Sequence, residues 1–205
     1  MDLPVQPKGP FLFIGNQPCL DFVNTDLVMN GQPTDLLTSF PDLIAWVIQA
    51  GLMTAEEAKE IEREDARHGT DTLRRAKAFR TTMQGLVERL AVHKSVPQTA
   101  VDAINHLLRH RIGYPQVTRR NRTFERTHQA EGEGSSRLLG LLAETASDLL
   151  CTCDVSLIKK CQNPACVLFF YDTTKNHARH WCSMSGCGNR SKVAAHYHRH
   201  RKHKT

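Results

Sequence analysis

Residues 161–190 read CQNPACVLFFYDTTKNHARHWCSMSGCGNR, and the interpretation of the whole chain starts from this stretch. Its four cysteines form two pairs, Cys161 with Cys166 and Cys182 with Cys187, and four residues separate the members of each pair. This spacing lets one tight turn present two sulfurs to one ion, and four thiolates complete a tetrahedron around zinc. The pattern predicts one structural Zn²⁺ ion bound by all four sulfurs. Disulfides or buried apolar cysteines are the alternative, which paired spacing without an export signal disfavours.

The residues between and after the cysteine pairs predict the elements of a small zinc module. The apolar run at 167–171 predicts a short strand, and Asn189 after Gly188 predicts the cap of a final helix. Turn, strand, loop, turn and helix follow one another in the order of a treble-clef zinc finger. The sequence therefore predicts a treble-clef module at 153–205, preceded by a mostly helical α+β domain at 1–152.

The same stretch resembles the CGNR zinc finger family. The resemblance rests on WCSM at 181–184 and CGNR at 187–190, with Phe170 and Asp172 where the family pattern expects them. The run LDFVNT at 20–25 is similar to the opening of the ABATE domain, which usually precedes this finger. The resemblance implies a bacterial, stress-linked transcription regulator whose finger binds nucleic acid.

Charge is distributed unevenly along the chain. Residues 159–205 contain ten Lys and Arg but one acidic residue, whereas residues 1–158 contain 17 basic and 20 acidic residues. Such asymmetry predicts that the end of the chain contacts a polyanion. The alternative is a solvated basic tail that only keeps the protein soluble.

The predicted final helix carries the candidate nucleic-acid contacts. Its basic residues are expected mainly on phosphates, and Arg190 is expected either to reach a base edge or to pair internally with Asp172. Double-stranded DNA is the favoured partner, and structured or ribosomal RNA is the alternative. The candidate contacts are Arg190, Lys192, Arg199, Arg201 and Lys202.

Hydrophobic periodicity and capping signals predict the elements of the N-terminal domain. Two short strands are expected at 11–14 and 20–23, with a hairpin turn at 15–16. Helices are expected to begin at Ser39, at Thr54, near residue 71, at Pro97 and at Ser135. Residues 116–130 predict either two strands that turn at 120–121 or an ordered loop.

Polar residues next to the apolar N-terminal segment suggest a ligand site. We expect Asp21 and Asn24, with Trp46 as an apolar wall, to bind a small-molecule effector. The alternative is that Asp21 and Asn24 cap turns and satisfy backbone groups. The same domain is also a candidate for homodimer formation.

The sequence gives little support for catalysis or export. It contains no Gly-rich phosphate loop, no H-E-x-x-H and no G-x-S-x-G motif, so we expect no enzyme. An enzyme with its active site in the N-terminal domain and the finger as a tether is the remaining alternative. No apolar run approaches the ~20 residues of a membrane span, and the N-terminus lacks a secretion signal. We therefore expect a cytoplasmic protein without membrane contact.

Overall fold

The computed structural model describes residues 11–64, 67–109, 112–131 and 134–193, and most of its N-terminal part is helical. Three separate two-stranded antiparallel sheets accompany the helices in these ranges. The elements are α1 (Pro18–Val23), β1 (Asp26–Met29), β2 (Gln32–Asp35), α2 (Phe40–Gln49), α3 (Ala55–Glu64), α4 (Gly69–His93), α5 (Gln98–Leu108), β3 (Ile112–Arg120), β4 (Thr123–Glu131), α6 (Gly134–Thr152), a 3₁₀ turn (Val155–Leu157), β5 (Ile158–Lys160), β6 (Phe169–Tyr171) and a wide helical turn (Met184–Gly188). Residues 189–193 continue that last turn as a helix.

Side-chain caps fix the starts of α2 and α3 where the sequence predicts them. Ser39 accepts a hydrogen bond from the Asp42 backbone, and the Asp42 carboxylate accepts one from the Ser39 backbone. Thr54 and Glu57 make the same reciprocal pair before α3. Each box satisfies amide groups that have no partner within the helix, which is commonly worth ~1 kcal/mol.

Helix α4 is the centre of the core. It contacts α1, α2, α5, α6 and β5, and its buried side chains follow the predicted helical period. Burying a Leu, Val or Met side chain contributes about 1.5–3 kcal/mol, so this long helix organises the elements around it. Its fully buried apolar residues are Ala76, Met83, Leu86, Val87 and Leu90. No helix in the described ranges combines the length and apolarity that crossing a bilayer requires.

Three local predictions for the N-terminal segment are wrong, and the first is the strand expected at 11–14, where the structure has no strand. The predicted strand at 20–23 is part of α1, which begins with Pro18 in its first turn, a position that proline favours. The hairpin lies at β1 and β2 instead and turns at Asn30 and Gly31, which have φ values of 52° and 80°. Asn-Gly suits a turn with two left-handed residues, so the sequence contained this signal.

Other predictions for this domain are confirmed with shifted boundaries. Helix α4 begins at Gly69, two residues before the predicted start, and α5 follows Pro97 as its N-cap. Residues 116–130 form two paired strands that turn at Asn121, the first of the two alternatives. Ser135 lies inside α6 and is buried, so it does not cap that helix.

A buried arginine joins α4 to the β1–β2 hairpin. Arg80 is 4% exposed, and its two terminal nitrogens each donate to one carboxylate oxygen of Asp35 at 2.8 Å. Lys77 pairs with the same carboxylate at 2.8 Å. Burial alone would raise the pKa of Asp35, but the hydrogen bonds from Arg80 and Lys77 hold it well below the usual range. The pair fixes how the hairpin lies on the helix.

Asn24, just after α1, fastens β6 to the N-terminal helices. Its amide nitrogen donates to the Phe169 carbonyl at 2.8 Å, and its amide oxygen accepts from the Phe169 backbone nitrogen at 2.9 Å. Phe169 and Ile158 also belong to the main hydrophobic core. Residues after α6 therefore share a core with the helices before them, and a domain boundary between 152 and 153 stays a prediction.

We predict that Asn24→Asp destabilises the fold by about 1–3 kcal/mol, because a carboxylate cannot donate to the buried Phe169 carbonyl. Urea unfolding followed by circular dichroism measures the effect. Asn30→Asp is the matched control, since Asn30 lies exposed in the hairpin turn. Equal stability of the two variants would show that the double hydrogen bond of Asn24 contributes little.

Candidate metal centre

Local hydrogen bonds shape the two turns that carry the four cysteines. The first turn follows β5, and the Cys166 backbone nitrogen donates to the Asn163 carbonyl at 2.8 Å. In the second turn Ser183 caps the last helix by accepting from the Gly186 backbone at 3.0 Å. The predicted cap, Asn189, instead lies within the helix. The helix thus begins at Met184, two residues after Cys182, and contains Cys187 in its first turns.

The fold brings the four sulfurs into one cluster. The Sγ atoms of Cys161, Cys166, Cys182 and Cys187 all lie within 4.8 Å of one another. Cys182 lies 3.8 Å from Cys166 and 3.6 Å from Cys187, measured between sulfurs. Sulfurs bound about 2.3 Å from a tetrahedral zinc lie about 3.8 Å apart, whereas a disulfide is about 2.05 Å long. The distances fit a tetrathiolate metal site, and all seven cysteines of the chain are free thiols.

Close contact between the sulfurs shifts the pKa values of two thiols of this cluster in opposite directions. A hydrogen bond to Cys166 and burial raise the pKa of Cys182 above its usual range. The same hydrogen bond lowers the pKa of Cys166 to about 5. Four thiolates at these distances repel one another, so a divalent cation is the natural partner that lets all four lose their protons.

Arg179 braces the metal centre from the side of the protein core. Its guanidinium lies 4.1 Å from the ring centroid of Phe170 and donates to the Trp181 carbonyl at 3.0 Å. It also donates to the carbonyls of Cys182 and of Ile14, the latter at 3.0 Å. No local pattern predicts this role, because Ile14 lies 165 residues away along the chain.

Asp172 is the internal anchor of the loop between the cysteine pairs. It is fully buried, accepts from Lys159 at 2.6 Å and accepts from the Arg179 backbone at 2.9 Å. Burial would raise its pKa, but these hydrogen bonds and those from Thr174 hold it well below the usual range. Lys159 is therefore the ion-pair partner of Asp172, and the internal pair of Asp172 with Arg190, one of the two alternatives for Arg190, does not form.

Arg190 contacts the metal centre itself. Its guanidinium donates to the Cys187 sulfur at 3.1 Å, and this hydrogen bond raises the pKa of Arg190. A donor on a metal-bound thiolate orients the ligand and offsets its charge. Arg190 and Lys192 are both exposed on the last helix. The other three candidate contacts, Arg199, Arg201 and Lys202, lie outside the described residues.

The three candidate ligand-binding residues are buried but do not share one cavity. Asp21 accepts a hydrogen bond from the Gly15 backbone at 2.7 Å, and burial raises the pKa of its carboxyl group to about 7. Trp46 is fully buried between Phe13 and Phe22. Asn24 lines a cavity of about 420 Å³, whose lining includes neither Asp21 nor Trp46.

The four-sulfur cluster and the helical part before it define a protein with a metal-binding zinc finger, and comparison with known families agrees. Residues 158–200 match the CGNR zinc finger, which contains all four cysteines. Residues 16–152 match ABATE, described as "Putative stress-induced transcription regulator". This match covers most of the chain, so the protein belongs to the ABATE family. A search of curated proteins finds no match.

We predict that the purified protein holds one equivalent of zinc and that Cys187→Ser loses most of it, because a closed site needs all four thiolates. Metal release should increase as pH falls, since protons compete for the sulfurs. Elemental analysis after dialysis measures both effects. Cys151→Ser is the matched control, because Cys151 is exposed and lies outside the cluster. Equal zinc loss in the two variants would contradict the assignment.

We also predict that Arg190→Gln speeds zinc release to a chelator roughly tenfold, because the variant loses the charged donor to the Cys187 sulfur. Arg190→Lys should recover part of the loss. Absorbance of a metallochromic chelator follows the rate, with Lys192→Gln as the control two residues further along the same helix. If Arg190→Gln released zinc at the wild-type rate, the contact between Arg190 and the Cys187 sulfur would not stabilise the metal site.

Proposed function

We propose that this protein is a zinc-dependent, DNA-binding transcription regulator. The observation that carries the proposal is the cluster of four sulfurs at the start of the last helix. The chain order supports a treble-clef arrangement: one cysteine pair joins β5 to β6, and the other enters the helix. When bound, zinc would supply the positive charge that lets the four thiolates lie together.

The last helix is the element that we propose contacts DNA. Its start is held by the metal turn, and Arg190 and Lys192 are exposed along it. An α-helix fits the major groove of B-DNA, and basic side chains beside it neutralise phosphates. Further basic residues follow in the sequence as Arg199, Arg201 and Lys202, which gives the end of the chain a dense positive charge.

Arg190 has a double role in this proposal. Its contact with the Cys187 sulfur orients the guanidinium beside the metal turn, while its exposure leaves part of the group open to solvent. A contact with DNA would therefore be preorganised and would cost little side-chain entropy. Lys192 is exposed on the same helix. We propose that it adds positive charge to the DNA-binding surface, whereas Arg190 also orients the contact.

The helical part is proposed to regulate the finger rather than to catalyse a reaction. Four sulfur ligands leave no open position on the metal for a substrate. The cavity of about 420 Å³ lies where α4, the β1–β2 hairpin and the segment before β6 meet, and its lining includes Asn24, Gln84 and Val167. A small effector bound there would contact both parts of the chain, and homodimer formation through the helical part is a further proposal.

We predict that the zinc-loaded protein binds duplex DNA with log K falling as log salt rises, by about 0.9 for each phosphate neutralised. Lys192→Gln should lower this slope by about 0.9 if Lys192 contacts a phosphate. Fluorescence anisotropy of a labelled duplex over a salt series measures the slope. Chelation of the metal should weaken binding strongly, because the last helix then loses the turn that holds its start.

The control for this experiment is Lys59→Gln, which removes the same charge from an exposed position on α3. It should keep the wild-type slope. A flat salt dependence of the wild-type protein would contradict DNA binding, and stronger competition by structured RNA than by duplex DNA would transfer the proposal to an RNA partner.

A further inference from the structure

Strands β3 and β4 form a long ribbon that leaves the core. They pair in continuous antiparallel register from Ile112 and Glu131 to Arg120 and Thr123, around a turn at Asn121. Nine residues at about 3.4 Å each give an arm roughly 30 Å long. Among its described side chains from 114 to 126, Thr118 alone is half-buried and the others are exposed. A ribbon this exposed does not serve the hydrophobic core.

The two faces of the ribbon differ in chemistry. Because side chains alternate along a strand, directly opposed residues share a face. Val117 opposes Arg126, and Arg119 opposes Phe124. These four residues, here called the basic face, combine two arginines with two large apolar side chains. The opposite face carries Glu125, which opposes Thr118.

The apolar members of the basic face are unusually open to solvent. Val117 is 69% exposed and Phe124 is 70% exposed. Exposed apolar side chains that interleave with arginines mark a binding surface rather than a solvated edge. The cations select a polyanion as the partner, since no acidic side chain belongs to the basic face.

Duplex DNA fits this surface better than double-stranded RNA or a second copy of the same face does. The major groove of B-DNA is about 12 Å wide and admits a two-stranded ribbon, whereas the major groove of A-form RNA is too narrow for side chains. Arginines reach phosphates or guanine edges, and an aromatic ring can contact a thymine methyl. A second copy of this face would bring four arginines together without a compensating acid.

We propose that the basic face of the β3–β4 ribbon is a second DNA-binding surface, separate from the metal-fixed helix. This inference rests on the proposed DNA-binding function and extends it to the helical part of the chain. The ribbon and the finger then contact one duplex at two places. Zinc is needed for the finger contact, while the ribbon contact depends on Arg119, Arg126 and Phe124.

The test compares double variants that lose the same charge at different places. Arg119→Gln with Arg126→Gln should lower the salt slope of duplex binding by about 2, because each phosphate contact contributes about 0.9. Arg63→Gln with Arg74→Gln, on exposed helical positions, should leave the slope at the wild-type value. Phe124→Ser should weaken binding severalfold without changing the slope, because it removes no charge.

The outcomes separate the two proposals. No salt-dependent binding by the zinc-loaded wild type overturns both of them. Wild-type binding that Lys192→Gln weakens, with an unchanged slope in the Arg119 and Arg126 variant, overturns the ribbon proposal alone. If the ribbon double variant and the Arg63 and Arg74 double variant lose the same amount of salt slope, the effect is one of net charge. That result also overturns the ribbon proposal. Analytical ultracentrifugation measures the oligomeric mass of each variant without DNA. A lower mass in the ribbon variant alone would show that this face joins two copies of the chain, which overturns the ribbon proposal.

Discussion

The convergence of four cysteine sulfurs is the constraint on which the rest of the C-terminal structure depends. Two turns that lie fifteen residues apart in sequence meet at this cluster, and the last helix starts from it. The apolar side chains around it are few, chiefly Leu27, Leu168 and Phe170. So small a core cannot hold a helix in place alone, and a metal ion bound by the four sulfurs would supply what burial does not.

The metal centre is also fastened to the helical part at several points. Leu27 of the β1–β2 hairpin packs into the cysteine cluster, and Asn24 holds β6 by two hydrogen bonds. Arg179, three residues before Cys182, donates to the carbonyl of Ile14. These contacts join the cysteine cluster directly to the helical part, as the proposed regulation requires.

Local signals predicted much of the fold, and long-range contacts account for most of what they missed. The capping pairs at Ser39 and Thr54 and the period of α4 are properties of neighbouring residues, so the sequence was sufficient to find them. The apolar run at 20–23 is too short to separate strand from helix by pattern, and the Pro18 signal went unused.

In the metal centre, too, local signals predicted part of the structure and long-range contacts account for the rest. Regular cysteine spacing predicted the cluster, because two ligands within one turn must meet at one ion. Of the two alternatives for Arg190, the internal pair with Asp172 does not form, because the fold brings Lys159 beside that carboxylate instead. Arg179 was missed for the same reason. Ser183 caps the last helix by accepting from the Gly186 backbone, whereas the predicted cap Asn189 lies six residues further on, within the helix.

X-ray absorption at the zinc edge of the purified, zinc-loaded protein tests the central claim most directly. We expect one zinc shell of four sulfurs at about 2.3 Å, without nitrogen or oxygen ligands. A shell with fewer sulfurs, or with water or histidine completing it, would contradict a closed site formed by these four cysteines.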